Sequence, residues 1–295
     1  MGIQKHLGAI VVVVLVVLIV GCPRFRGVTV TKDVSYGLGY VTRTEGNDEW
    51  VLKPLFMDIY EPDDRDGTLL PAIVLVHGGS FMYGSKEDDE IVEFAEYFAR
   101  RGFVAFTLNY RLEDTGPPAP DYWDSFSLTS AVHAACVDVR VALRHIYAHA
   151  DEYGVDSEKI ALLGASAGAI ASIAAIVADD GRFESDGDDF PVPPENNPDA
   201  PHTVGAYLHF WGGADHVLHN IDRNTPPIMI VHGREDTMFF ASYGAARRLR
   251  AMLRLVGVPY EWRIADTGHG VWNYRSRGRS LKHLSHSFVV EHLGL

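Results

Sequence analysis

The chain has 295 residues, 47% of them apolar and 22% charged. That balance excludes a disordered or fibrous protein and leaves room for one large α/β domain with a buried core. The net charge of −13 argues against a nucleic-acid partner, whose phosphates need a basic face.

The N-terminus reads as a targeting segment. Met1 to His6 is polar, and Leu7 to Val20 is an unbroken apolar run of 14 residues. As a helix that run would span only ~21 Å, short of a ~30 Å hydrocarbon core, so it fits a signal-peptide core better than a membrane span. Ile19-Val20-Gly21-Cys22 resembles the lipobox of bacterial lipoproteins. The resemblance implies a signal peptide over residues 1–21, lipidation of Cys22, and a protein anchored to a membrane of the cell envelope and facing the periplasm or exterior. An uncleaved anchor helix or a plain secretory leader is the alternative. Cys136 is the other cysteine; with Cys22 acylated, no intramolecular disulfide is expected, and Cys136 reads as a small buried hydrophobe.

Residues 22–50 read as an N-terminal spacer and first strand, and residues 51–295 as one large α/β domain. Val28–Val41 and Leu52–Tyr60 are the opening antiparallel strands, with Gly46-Asn47-Asp48 as turn chemistry between them. Pro71–Val76 is a continuous apolar run of the kind buried on both faces. Helical spacing follows over Ile91–Arg101, then a strand over Phe103–Leu108, a long helix over Ala131–Tyr153 and a short strand over Ile160–Leu163. A small-residue helix covers Ala167–Val177. Strands at Val204–Phe210, Ile228–Val231 and Tyr260–Ile264 alternate with helices at Tyr243–Val256 and Leu281–His292. This alternation predicts an α/β fold, a mostly parallel doubly wound sheet with helices on both faces. Asp179–Thr203, rich in acidic residues and proline, reads as an exposed, irregular excursion.

Gly164-Ala165-Ser166-Ala167-Gly168 fits the G-x-S-x-G pattern between a strand and a helix. Such a turn lifts a serine hydroxyl above the sheet, and small neighbours permit the tight approach. The helix from Ala167 aims free N–H groups at the same point. His77-Gly78-Gly79-Ser80-Phe81 follows an upstream strand and resembles the HGGG-type oxyanion loop of lipases and esterases. Gly79, Ser80 and Ala167 are the expected donors, Gly78 shapes the turn, and His77 reads as a structural hydrogen-bonder. A serine hydroxyl needs a base, and the base needs an orienting carboxylate. Asp236 and His269, each in a loop after a strand, supply them in the order Ser, acid, His. Glu235 and Asp266 are rival acids.

With these motifs the chain resembles the hormone-sensitive-lipase-like and feruloyl-esterase-like carboxylesterases of the α/β-hydrolase superfamily. The likeness runs through Met57–Pro62, His77–Phe81, Asn109–Leu112, Tyr153–Asp156, Gly164–Gly168, His232–Asp236 and Gly268–Gly270. Ser80 stands where many relatives carry a third glycine. The resemblance implies an α/β-hydrolase fold, a triad of Ser166, Asp236 and His269, and hydrolysis of small or carbohydrate-linked acyl esters without a cofactor. A peptidase or amidase of the same fold, or a non-catalytic esterase-like binding lipoprotein, are the competing readings.

Other signals are weaker. The run Glu184–Asp189 lacks a complete calcium-loop pattern and reads as a solvated acidic loop. The pairs His216/His219 and His283/His286 lack a third ligand, so no metal is expected. Tyr122, Trp123, Phe126, Trp211 and Trp272 are candidates for either a substrate pocket or the core.

Overall fold

In a computed structural model the described residues are 27–42, 50–118, 127–178 and 181–295. The leader with Cys22, the turn at Gly46–Asp48, and Tyr122, Trp123 and Phe126 lie outside them. The first strands, β1 (Val28–Thr42) and β2 (Trp50–Pro62), form an antiparallel ribbon. Then come β3 (Leu70–Val76), α1 (Asp89–Ala99), β4 (Val104–Leu108), α2 (Ser127–Ala148), α3 (Ala150–Tyr153), β5 (Val155–Ala165) and α4 (Ala167–Val177). The C-terminal part carries β6 (Ala206–Phe210), β7 (Ile228–Gly233), α5 (Tyr243–Val256), β8 (Tyr260–Ala265) and α6 (Leu281–Leu293), with a small hairpin at residues 275–280.

The eight long strands make one sheet in the order β1-β2-β4-β3-β5-β6-β7-β8, parallel from β4 onward. Alternation along each strand feeds two cores. Ile73, Leu75 and Leu163 face α1 and α6, while Val74, Val76 and Leu162 face α2, α4 and α5. All six side chains are fully buried, each worth about 1.5–3 kcal/mol in removed apolar surface. A parallel sheet covered on both faces leaves one place for a site, the edge where the strands end.

Three expectations need correction. The helix expected over Ala131–Tyr153 is two helices, because His149 leaves the helical region (φ −113°, ψ 20°). The strand expected at Ile160–Leu163 runs from Val155 to Ala165, since Leu70 opposite Val155 extends its ladder with β3. The described part of Asp179–Thr203 is not simply an exposed excursion. Asp186 is 5% exposed and pairs with buried Arg111, Glu184 bonds Arg140 and Arg144, and Asn196 bridges the N–H and C=O of Leu38. Arginines carried inward by α2 and the loop after β4 need counter-charges, and this segment supplies them.

Candidate active site

Ser166 sits between β5 and α4 with φ 53° and ψ −116°, a conformation that strains any residue with a Cβ. Neighbouring contacts hold it there. Its N–H donates to the carbonyl of Phe210 at 2.8 Å, and its own carbonyl accepts from Ala169 and Ile170 in the first turn of α4. The G-x-S-x-G spacing follows from close packing. A Cβ on Gly168 would lie 2.3 Å from the His77 carbonyl oxygen, and one on Gly164 would lie 2.5 Å from that of Gly168.

The carbonyl edge of the sheet brings the three predicted side chains together. His269 Nε2 lies 2.8 Å from Ser166 Oγ, and His269 Nδ1 lies 2.7 Å from Asp236 Oδ2. Asp236 is 4% exposed, and its Oδ1 accepts the Met238 N–H at 3.0 Å. Two backbone bonds stitch the acid turn to the histidine loop, Arg234 N–H to Ala265 O and Glu235 N–H to Thr267 O. Asp266 is 80% exposed and bonds Arg234 instead, and Glu235 is exposed, so neither rival acid reaches the imidazole.

The predicted oxyanion loop lies beside this row. Gly79, Ser80 and Phe81 take φ values of 103°, 56° and 63°. Ser80 thus holds a left-handed backbone where a glycine would sit without strain. The carbonyl of Gly78 accepts from both the Tyr110 hydroxyl, at 3.0 Å, and His77 Nδ1, at 2.7 Å. His77 is buried, stacks on Tyr110 at 4.3 Å, and is held below the usual histidine range by desolvation, as a structural neutral imidazole. Among the described residues, the backbone N–H groups of Gly79, Ser80 and Ala167 have no acceptor, and all three residues border a cavity that contains Ser166.

Two cavities meet at that serine. One, of about 310 Å³, reaches past His269 to Trp211 and Trp272, with Asp88 and Glu90 on its rim. Trp211 is 2% exposed, and its ring meets Trp272 edge-on at 4.6 Å. The two tryptophans are therefore core on one side and pocket wall on the other. The second cavity, of about 190 Å³, is walled by Phe81, Ile170, Met238, Phe239 and Phe240. Sequence reasoning did not find the Met238-Phe239-Phe240 wall; an apolar triplet in the loop after a candidate acid is the signal that would have flagged it. His216, His219, His283 and His286 lie away from these cavities. Among the described residues no group of three or more His, Cys, Asp or Glu is arranged to hold a metal.

A mostly parallel eight-stranded sheet with a strained serine at the β5–α4 junction and a Ser-His-Asp row at its carbonyl edge defines an α/β-hydrolase-fold protein. Residues 57–220 match the model of the BD-FAE family, and the chain belongs to that family. It is 29% identical to para-nitrobenzyl esterase of Bacillus subtilis over 124 residues, 42% of this chain and 24% of that protein. It is 23% identical to esterase LipC of Mycobacterium tuberculosis over 249 residues, covering 72% of this chain and 56% of that one. The chain thus spans between a quarter and just over half the length of these two relatives. Among solved structures, esterase 2 of Thermogutta terrifontis with bound propionate superposes with a TM-score of 0.65 at 23% identity, covering 86% of this chain and 94% of that one. A truncated carbohydrate esterase from gut microbiota gives 0.65 at 16% identity, covering 93% and 99%. These two likenesses concern the fold.

Proposed function

We propose that the protein is a serine carboxylesterase that hydrolyses small or carbohydrate-linked acyl esters through an acyl-enzyme. The observation that carries this reading is the unbroken row Ser166 Oγ–His269–Asp236, with steps of 2.8 and 2.7 Å. The first distance is within the range over which a proton moves between nucleophile and base, and the second is a hydrogen bond that orients the base.

In this mechanism Ser166 Oγ attacks the ester carbonyl carbon as His269 Nε2 takes its proton. Asp236 accepts the Nδ1–H and stabilises the imidazolium. Charge developing on the carbonyl oxygen is met by the N–H groups of Gly79, Ser80 and Ala167, donors already fixed by the loop and by the start of α4. Gly78 keeps the loop close, its Cα lying where a Cβ would come within 3.2 Å of Ser166 Cβ. The imidazolium protonates the departing alcohol, and water activated by His269 then releases the acid. These steps require no cofactor.

The esterase relatives and the two cavities opening from one serine support this assignment: the larger has room for the alcohol part, and the apolar one for a modest acyl group. Hydrolysis of p-nitrophenyl acetate compared with the Ser166→Ala variant tests it. The expected result is a loss of ~10³-fold or more; equal rates would remove the catalytic assignment.

We further propose that Cys22 carries a lipid, with residues 1–21 removed as a signal peptide, so that the enzyme works at the cell envelope. The apolar run before Cys22 and the lipobox-like Ile19–Cys22 support this. Labelling with a clickable fatty acid in a bacterial host should mark the wild type and not Cys22→Ser; equal labelling of the two would contradict it.

A further inference from the structure

His232 is the penultimate residue of β7, its side chain fully buried, and the mechanism above gives it no part. Its Nε2 lies 2.8 Å from the carbonyl oxygen of Ala241 and 3.1 Å from Asp236 Oδ2. Both are acceptors, so Nε2 must carry the ring proton, which it donates to Ala241 while lying within 3.1 Å of the Asp236 carboxylate. Nδ1 is buried and has no partner among the described residues. A second proton there would have nothing to bond, and desolvation holds this imidazole below the usual histidine range. The ring is therefore a neutral donor with one direction of donation.

The carboxylate of Asp236 is consequently held on three sides. Met238 N–H meets Oδ1, His269 Nδ1–H meets Oδ2, and His232 Nε2 lies 3.1 Å from the same Oδ2. The His232 side chain is fully buried, whereas that of His269 is 26% exposed. Through Ala241 the same N–H also touches the end of the loop that carries Met238, Phe239 and Phe240, the wall of the smaller cavity. Without this contact, one main-chain N–H and the imidazole of His269 alone would set the rotation of the carboxylate.

We propose that His232 is a positioning residue: its Nε2–H fixes the rotation of the Asp236 carboxylate against His269 and pins the Ala241 end of the acyl-pocket wall to the acid. This rests on the serine-esterase reading for its kinetic consequences, though not for the geometry it asserts. A hydrogen bond to a charged group, when lost, corresponds to about a ten- to hundredfold change in rate.

The test uses His232→Leu, which keeps bulk and removes the donor, and His232→Gln, whose amide nitrogen reaches about as far as Nε2. On p-nitrophenyl acetate, the leucine variant should lose about ten- to a hundredfold in kcat with KM changed less than threefold. The glutamine variant should recover most of that loss. In an Asp236→Asn background, His232→Leu should cost less than threefold in further rate of phosphonylation at Ser166, because its effect on His269 passes through the carboxylate and only the Ala241 contact is left to lose. A full additional loss in that background, or equal kcat for all three chains, would overturn the proposal. A readout that needs no turnover separates this claim from the esterase assignment, and it is available from the folded glutamine variant even where the leucine variant fails to fold. The low-field proton signal of His269 Nδ1–H should keep its wild-type position in His232→Gln and move in a donorless variant such as His232→Leu or His232→Phe. An unchanged signal in a folded donorless variant would refute the geometry even if the esterase were inactive.

Discussion

Replacing Gly168 with alanine tests whether the start of α4 must touch the end of β3. The new Cβ would lie 2.3 Å from the His77 carbonyl oxygen, 2.4 Å from that of Val76 and 2.8 Å from the Val76 carbonyl carbon. All three are backbone atoms at the end of a strand paired on both sides, so no rotamer change relieves the clash. Restoring an ordinary contact of 3.4 Å requires a displacement of about 1 Å, taking 2.3 Å from 3.4 Å. That motion must carry the helix start, and with it Ser166, away from the Gly79–Ser80 loop. Overpacking of this kind costs ~1–3 kcal/mol in stability, and a 1 Å misplacement of reacting groups costs ~10²-fold in rate. Urea unfolding and kcat/KM on p-nitrophenyl acetate measure the two effects. Gly244→Ala, in the first turn of α5, meets only ordinary contacts at 3.4 and 3.5 Å and should be neutral or slightly stabilising. If Gly168→Ala behaved like Gly244→Ala in both assays, the packing explanation of the motif would be wrong.

Three further outcomes are expected. Ser166→Gly should abolish hydrolysis yet unfold at a higher temperature than Ser166→Ala, because glycine relieves a φ of 53° that alanine retains, a difference of about 1–2 kcal/mol; equal melting temperatures would contradict the strain. Arg111 is 3% exposed and bonds both Asp138 and Asp186. Arg111→Met should therefore lose about 3–5 kcal/mol by stranding two buried carboxylates, read as a lower urea midpoint. Acidification should destabilise the fold through its buried histidines. Desolvation pushes His209 down to about 3 and His145 to about 4, below their unfolded value near 6.5, so the unfolded chain takes up protons first. Their stabilising contribution is complete above that unfolded value and shrinks as pH falls toward 4 and 3. For fully buried His209 the loss at pH 5 is on the order of 2 kcal/mol. His209→Gln, if it folds, should flatten the fall in melting temperature between pH 7 and 5.

Much of this architecture is written locally. Short continuous apolar runs such as Ala72–Val76 and Ile228–Val231 fit strands covered on both faces, and the helices between them make the sheet parallel. Ser166, Asp236 and His269 were legible because each stands in the turn or loop after a strand, and a sheet of this winding gathers its strand ends on one edge. What stayed hidden depends on partners far apart in the chain. Nothing local to residues 181–203 says that Asp186 and Glu184 answer Arg111, Arg140 and Arg144, although charges inside the apolar helix at 127–148 were a clue that counter-charges had to come from elsewhere. His232 was hidden for a related reason. A histidine at the end of a buried strand has no local partner, and only the turn that returns Asp236 and Ala241 to it reveals what its N–H meets.

The most direct test of the central claim is where a covalent trap lands. After incubation with a fluorophosphonate, mass spectrometry of the digested protein should find one adduct per chain on the peptide bearing Ser166, and no adduct in the Ser166→Ala variant. An adduct on any other residue, or an unmodified Ser166 in a folded chain, would contradict the account.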